Sequence, residues 1–549
     1  MIDDTAAPAP SSPWRRLWPW LAIAMIASAV AWGIHHVMTP GITGWVNDDG
    51  LYVDFAQSLR HGHGFSMTLT NDAMPAFRYP IMFPALLALA SLGAHGTTAA
   101  IMQMQWVPPL SSGLLAFATF VYLRRIAFWP AWGALAAAIL IGCSPVLVDC
   151  ASLILSDASA AALGVIAAIA FEASLRRESR TGLLFAGCGL LSVVLCLIRY
   201  EAATFVVAAA CVLLQQRRWK SLLAYGGAFA VGLVPWAIYR LHTGGEEYHT
   251  TLKFLTEKPP AFLFKNLSAI AATMLSKSLP VFVFPSWPPQ HTVQLLLMGA
   301  LVSALMFLGA IAAIRRPLPG QSGFAGYYFL ISVALILVWM VRYVTTASYA
   351  TERLLLPIAP FAILLFMRGL TEFRARYESL EKWPLRRLTA LATLPVVLLA
   401  GYRFEQYVMN PGLAAENAAR QVAYSATFDY VRDKLPADAV LVSMLAPAVY
   451  LHTGRHCHGL NYTGTDPEVI AYLSAVHADY LIGLPFILEA PPWLHQRHGY
   501  FDASVVIIND LVKQHPGLLK GVYFAGRGRL GVFKIDHSVL ATAAKHLKS

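Results

Sequence analysis

The chain reads as a polytopic α-helical membrane protein that ends in a small α/β domain, and three observations carry that reading. Its 549 residues are 57% hydrophobic and only 13% charged, whereas a soluble chain carries roughly a quarter charged residues, so an ordinary cytosolic enzyme is excluded. Apolar stretches of spanning length fill residues 17–404, while 405–549 has the composition of a globular segment. All six Arg-Arg pairs fall at the ends of those stretches.

A bilayer crossing takes about 20 apolar residues, and about eleven such stretches fit the chain. They lie near 17–38, 97–123, 131–149, 153–173, 182–198, 202–214, 221–239, 291–314, 326–344, 353–367 and 388–403. Residues 1–13 (MIDDTAAPAPSSP) lack periodicity and read as a disordered cytoplasmic leader. The first stretch is long and only weakly followed by a small-residue cleavage site, so it reads as a membrane anchor rather than a signal peptide. The membrane domain is then 14–404 and the tail domain 405–549.

The pairs Arg15-Arg16, Arg124-Arg125, Arg176-Arg177, Arg217-Arg218, Arg315-Arg316 and Arg386-Arg387 are separated by even numbers of stretches. That is the positive-inside pattern and sets all six in the cytoplasm. The net charge of +11 therefore encodes topology, not affinity for nucleic acid. Residues 39–96, 240–290 and the tail then face outward. Segment 181–214 must hold two short spans around Arg199, Tyr200 and Glu201, because burying Arg199 and Glu201 at mid-bilayer costs several kcal/mol.

Within the first outer loop, Leu51, Phe55 and Leu59 recur every four residues with polar side chains elsewhere, which predicts an amphipathic helix at the membrane surface. Tyr79 to Leu92 is apolar but too short to span, and predicts a second interfacial or re-entrant helix. The proline-broken SLPVFVFPSWPPQH, at the end of the 240–290 loop, is read as re-entering the interface. In the tail, Asn417 to Lys434 and DPEVIAYLSAVH predict helices, and AVLVSM, DYLIGL, SVVII and LGVFKI predict strands. Five cysteines lie in or beside spans and only Cys457 is in the tail, so no disulfide framework or zinc spacing is present.

Chemistry concentrates on the outward side. Asp48 and Asp49 open the amphipathic helix. Adjacent carboxylates repel, which favours one of them holding a proton and suits a general base; the alternative is a helix cap by Asn47 or Asp48, its companion favouring the dipole. Arg78, Arg199, Arg342 and Arg353, with Lys277 nearby, sit at span mouths where the positive-inside tendency disfavours arginine. Snorkelling explains any one of them, but the group suits a lipid-linked phosphate. Asp149 and Asp157 bracket the turn after the third span, and Asp157 lies in apolar sequence. It is either a functional carboxylate or the partner of one of the arginines. His61 and His63 lie near the acidic pair, His35 and His36 end the first span, and His452, His456 and His458 cluster in the tail. None completes a ligand set, so no cofactor is certain and a divalent cation stays an option.

Taken in order, NDDGLYVDFAQSLRHGHGF, RYPIMFP, SLILSDASAAAL, LCLIRYEA and TERLLLPIAPF resemble the motifs of the GT-C glycosyltransferases that use polyprenyl-phosphate sugars, a group that includes protein O-mannosyltransferases and the lipid A aminoarabinose transferase. The resemblance runs to about residue 367. It implies a GT-C membrane domain with a periplasmic C-terminal domain, in a bacterial inner membrane. It implies Asp48 as catalytic acid-base residue, with Asp49 in place of the more usual Glu, and Arg78 and Arg353 as contacts to donor phosphate; Leu354 stands where the family has Tyr. The implied reaction moves a sugar from a polyprenyl-phosphate donor to a hydroxyl or amine on a lipid, glycan or protein acceptor, with inversion. A transporter or flippase of lipid-linked glycans is the alternative, disfavoured by the absence of internal repeats. A non-enzymatic assembly factor is the other.

Overall fold

The computed structural model describes residues 13–38, 43–44, 48–69, 74–75, 79–177, 181–243, 259–275, 279, 293–318, 320–340, 352–376, 385–409, 411–460, 466–484, 503–525 and 530–546. Residues 1–12 of the leader, Asn47, Arg78, Lys277, Arg342 and nearly all of SLPVFVFPSWPPQH lie outside the described residues.

Helix α1 (Pro13–Val37) leads into α2 (Asp48–Arg60) and α3 (Met82–Ala90), with a short antiparallel hairpin, β1 (Ser66–Met67) and β2 (Met74–Pro75), between them. Then follow α4 (Thr97–Met104), α5 (Val107–Val121), α6 (Ala131–Gly142), α7 (Pro145–Ala151), α8 (Asp157–Leu175), α9 (Thr181–Ile198), α10 (Ala203–Gln215) and α11 (Trp219–Thr243). The helical part closes with α12 (Pro260–Thr273), α13 (Val293–Arg315), α14 (Phe324–Met340), α15 (Ala359–Arg376) and α16 (Leu385–Val408). Over its described residues, each apolar stretch read from the sequence is largely helical. Among the described residues six helices are long and apolar enough to cross a membrane, and α6 with α7 makes a seventh bent by 50°; α9, α10 and α14 are shorter apolar helices. Segment 181–214 does hold two helices, joined by the turn Tyr200–Ala202. Helix α12, inside the 240–290 loop, was not anticipated.

Helices α5 and α8 form the interior. The run DASAAALGVIAAIAFEASL is rich in Ala and Ser, and such small side chains let helices approach closely where no hydrophobic effect drives association. Around α8, a chain of aromatic contacts links Phe171, Phe205, Phe324, Tyr328 and Phe361 at centroid separations of 4.8–6.2 Å. Outside it, Leu183, Leu223 and Leu241 are 74%, 75% and 83% exposed, the positions that lipid would cover. Basic residues gather at the far end of α8. Arg176 donates to the carbonyls of Arg125, Ile126 and Gly320, and Arg368 donates to that of Arg316. The 19 residues of α8, at 1.5 Å each, span about 28 Å from there to Asp157.

The C-terminal part begins with α17 (Pro411–Lys434) and continues β3 (Leu441–Ser443), α18 (Ala446–Thr453), β4 (Cys457–Gly459), α19 (Asp466–Ala475), β5 (Tyr480–Gly483), α20 (Ala503–Gln514), β6 (Leu519–Ala525), β7 (Leu530–Ile535) and α21 (His537–His546). The five strands run in the order β4-β3-β5-β7-β6. The first three are parallel, with Leu441 opposite both Cys457 and Tyr480, and β7 pairs antiparallel with β5 and β6. Three of the four expected strands are found. The fourth expectation is corrected: SVVII belongs to α20, where Leu511 is buried and Ile507 and Ile508 pack beside the sheet. The β-branched run favours a strand locally, but its apolar positions continue to Leu511 at helical spacing, and burial of that face wins.

The amphipathic reading of α2 also changes. The helix does not lie with a polar face in water, because Asp49, Asp54 and Ser58 are buried along with Leu51, Tyr52 and Phe55. Its apolar side packs on Phe65, Trp236 and Leu197, and α18 covers its other side through Pro447.

The closest helix contact lies between α13 and α15. A Cβ on Gly309 would sit 1.9 Å from the Leu365 carbonyl oxygen, and one on Gly369 equally close to that of Leu305. Gly309→Leu should therefore cost roughly 3 kcal/mol or more, read as a clear drop in the midpoint of thermal unfolding in detergent. The same substitution at Gly182, which has open space around it, should leave the midpoint unchanged.

Candidate functional site

Acids and arginines named from the sequence converge at the end of the helical part remote from the Arg-Arg pairs. Asp157, the first residue of α8, is completely buried. Arg199, which ends α9, places Nη1 2.6 Å from Asp157 Oδ1. Arg353, in the turn preceding α15, donates from Nη2 to Oδ2 at 3.1 Å and from Nε to Oδ1 at 3.4 Å. Asp157 thus pairs with two arginines rather than one. Glu201 lies 3.4 Å from Arg199 Nε and is one-third exposed. Asp149 is buried in α7, eight residues before Asp157.

Burying a charge among apolar helices is costly unless the charge is paired and hydrogen-bonded, so these three side chains constrain one another. Beside them opens a small cleft lined by Arg199, Glu201, Thr204 and Ser332 together with apolar side chains such as Leu335, Leu354 and Pro357.

The two adjacent carboxylates have different surroundings. Asp49 is buried, and its oxygens accept the backbone N–H groups of Gly44 and Gly50, each at 2.9 Å. It clasps the chain at the start of α2. Asp48 is only half-buried and accepts a 2.5 Å hydrogen bond from the Tyr79 hydroxyl.

Two tyrosines connect Asp48 with the arginine cluster. Tyr52 lies one turn along α2, on the same face as Asp48, with its ring 4.7 Å from that of Tyr79. Its hydroxyl shares a 3.0 Å hydrogen bond with Ser156, the residue before Asp157. Sequence reasoning did not single out Tyr52, Tyr79 or Ser156. A signal existed: a tyrosine in an otherwise buried face needs a partner for its hydroxyl, and both tyrosines lie inside quoted motifs.

Asp54, on the opposite side of α2, is fully buried and accepts bonds from the Thr68 backbone N–H at 2.9 Å and the Thr68 hydroxyl at 2.5 Å. Burial pushes its carboxyl up to about 6, the Thr68 bonds opposing the shift. His61 and His63 are exposed, their rings 6.3 Å apart. In the tail, His452 is turned toward Thr43 and His456 stacks on Tyr450. No group of three or more His, Cys, Asp or Glu side chains is placed to hold a metal among the described residues.

The helical part, the first-loop helices and the C-terminal sheet together make the GT-C fold of membrane glycosyltransferases. ArnT from Cupriavidus metallidurans, a lipid A aminoarabinose transferase, was solved bound to undecaprenyl phosphate and shares the fold at TM-score 0.52 and 14% identity, over 96% of this chain and 99% of its own. Its apo structure gives 0.53 at 13% identity, over 95% and 99%. The archaeal oligosaccharyltransferase AglB from Archaeoglobus fulgidus, in complex with an inhibitory peptide and a dolichol-phosphate, gives 0.48 at 11% identity, over 96% and 75%. No protein-family model and no curated protein sequence matches the chain.

Two outcomes follow from this geometry. Asp157→Ala leaves two guanidiniums without their shared buried partner and should lower stability by about 3–5 kcal/mol, measured by thermal unfolding in detergent. Because Asp54 is raised above its ordinary 3.8, its contribution to stability is fully present below that value and is lost as pH rises through about 6. Asp54→Asn should remove this slope between pH 4 and 6 from the unfolding midpoint.

Proposed function

We propose that the protein is a multi-pass inner-membrane glycosyltransferase that moves a hexosyl or pentosyl group from a polyprenyl-phosphate donor to an acceptor hydroxyl or amine at the outer face. The observation that supports this best is a half-buried carboxylate, Asp48, joined through Tyr79 and Tyr52 to the Arg199–Asp157–Arg353 cluster, whose Arg199 lines a cleft of mixed polar and apolar side chains. A lipid phosphate needs both kinds of lining. The fold shared with ArnT, which binds undecaprenyl phosphate, favours the same donor class.

In the reaction, the acceptor oxygen or nitrogen attacks the anomeric carbon while the bond from that carbon to the phosphate oxygen breaks, its electron pair leaving with the polyprenyl phosphate. Asp48 takes the acceptor's proton, and the Tyr79 hydroxyl orients the carboxylate. Arg353 and Arg199, held in place by Asp157, stabilise the charge on the departing phosphate. Arg78 and Arg342 are assigned to the same phosphate, Asp149 supports the cluster from α7, and Asp49 holds the helix start. A single displacement inverts the anomeric centre. In this reading residues 14–404 form the membrane domain with about eleven crossings, the N-terminus is cytoplasmic, and 405–549 form a periplasmic domain. The acceptor is a lipid, a glycan or a protein.

The test is release of polyprenyl phosphate by the purified protein supplied with polyprenyl-phosphate sugars and envelope acceptors. Asp48→Asn should lower turnover by about 10³-fold with the unfolding midpoint unchanged, whereas Asp49→Asn should lower the midpoint as well. Near-normal turnover by Asp48→Asn would overturn the assignment.

A further inference from the structure

The C-terminal part touches the chain on both sides of α2. Before the helix, the His452 Nε2 lies 3.0 Å from the Thr43 carbonyl oxygen. A carbonyl only accepts, so Nε2 carries the proton. Burial lowers the His452 pKa and favours the neutral ring, which stacks on Phe428 at 4.9 Å and 16°. Next to Thr43, Gly44 has a positive φ of 100°, and a Cβ on it would lie 2.7 Å from Ala448 Cα. A Cβ on Gly50 would lie 2.5 Å from Pro447 Cβ. Helix α18 thus rests directly on the two glycines whose N–H groups Asp49 clasps. After the helix, Leu69 accepts a 2.9 Å bond from the Cys457 N–H. That bond attaches the first loop to β4, the edge strand of the sheet, one residue beyond the Thr68 that Asp54 holds.

We propose that the C-terminal part is a working component of the active site: it clamps the start of α2 and, through Leu69, the chain that holds mid-helix Asp54, and so sets the position of Asp48, with His452 as a positioning residue. This rests on the reading of Asp48 as the base. A reacting group must be held closely, and a displacement of about 1 Å costs on the order of 10²-fold in rate. The grip acts on backbone atoms at Thr43, Gly44, Gly50 and Leu69, so it orients the carboxylate without touching substrate. Loosening it lowers kcat and leaves donor affinity, which depends on the arginine cluster, in place.

The experiment uses the full-length protein with His452→Phe, which keeps a ring against Phe428 but removes the donor, and His452→Gln, which restores an N–H near the Nε2 position. Turnover, KM for a polyprenyl-phosphate sugar and amide exchange at Gly44 and Asp49 to Tyr52 are measured together. Expected are a 10- to 100-fold fall in kcat for His452→Phe with KM within about twofold, faster exchange at those amides, and recovery of both by His452→Gln. Pro447→Gly, which loosens the contact on Gly50, should give the same kcat–KM split if His452→Phe fails to fold. Normal kcat and normal exchange in the folded variants overturn the proposal, as does a loss confined to KM. If the wild type transfers no sugar, the catalytic reading falls, while the exchange rates still decide whether the clamp exists.

Discussion

Burial of the Asp157 carboxylate at the start of an otherwise apolar helix is the constraint on which the rest of the site depends. A charge with no exposure among alanines and leucines has to be met by opposite charge at hydrogen-bond distance. Arg199 and Arg353 meet it from two different parts of the chain, one between α9 and α10 and one before α15. Three separate helix ends are thereby drawn to one place. The turn at Tyr200–Ala202 divides two short helices and leaves Arg199 where it reaches Asp157.

Around this cluster the first loop is built in layers. Tyr52 and Tyr79 fill the space between Asp48 and Ser156 with aromatic rings and two hydroxyl contacts. Asp49 accepts the Gly44 N–H before α2, and Asp54, at mid-helix, accepts the Thr68 N–H of the chain after it. Three acids within seven positions thus have different work: one is buried to hold a turn, one is buried to hold the following loop, and one remains half-open. Helix α18 of the C-terminal part covers one side of α2, which is why a helix with an amphipathic pattern ends up buried on nearly all sides.

The legibility of the chain varied with the range of the forces involved. Apolar stretches long enough for a bilayer appeared as helices because spanning length and hydropathy are local properties. The contacts of Arg176 with the Arg125 and Gly320 carbonyls and of Arg368 with the Arg316 carbonyl gather the segments of three Arg-Arg pairs at one end. SVVII failed because its strand propensity is local while its burial against the sheet is not. Strand β4 was missed for a related reason: three residues are too few to carry a periodicity, and their pairing with Leu441–Ser443 is set by the fold.

By itself, the sequence determined that this is a multi-pass membrane protein with a globular end, that its scarce charges are sorted by side, and that Asp48, Asp49, Asp157, Arg199 and Arg353 merit attention. Those conclusions need only composition, spacing and the cost of charge in hydrocarbon. The tertiary structure alone decided which charge meets which. Asp157 pairs with arginines 42 and 196 positions away, Asp49 accepts the Gly44 N–H, and His452 reaches Thr43 across 409 positions. Such contacts arise when whole helices and the sheet pack together, and no local pattern encodes them.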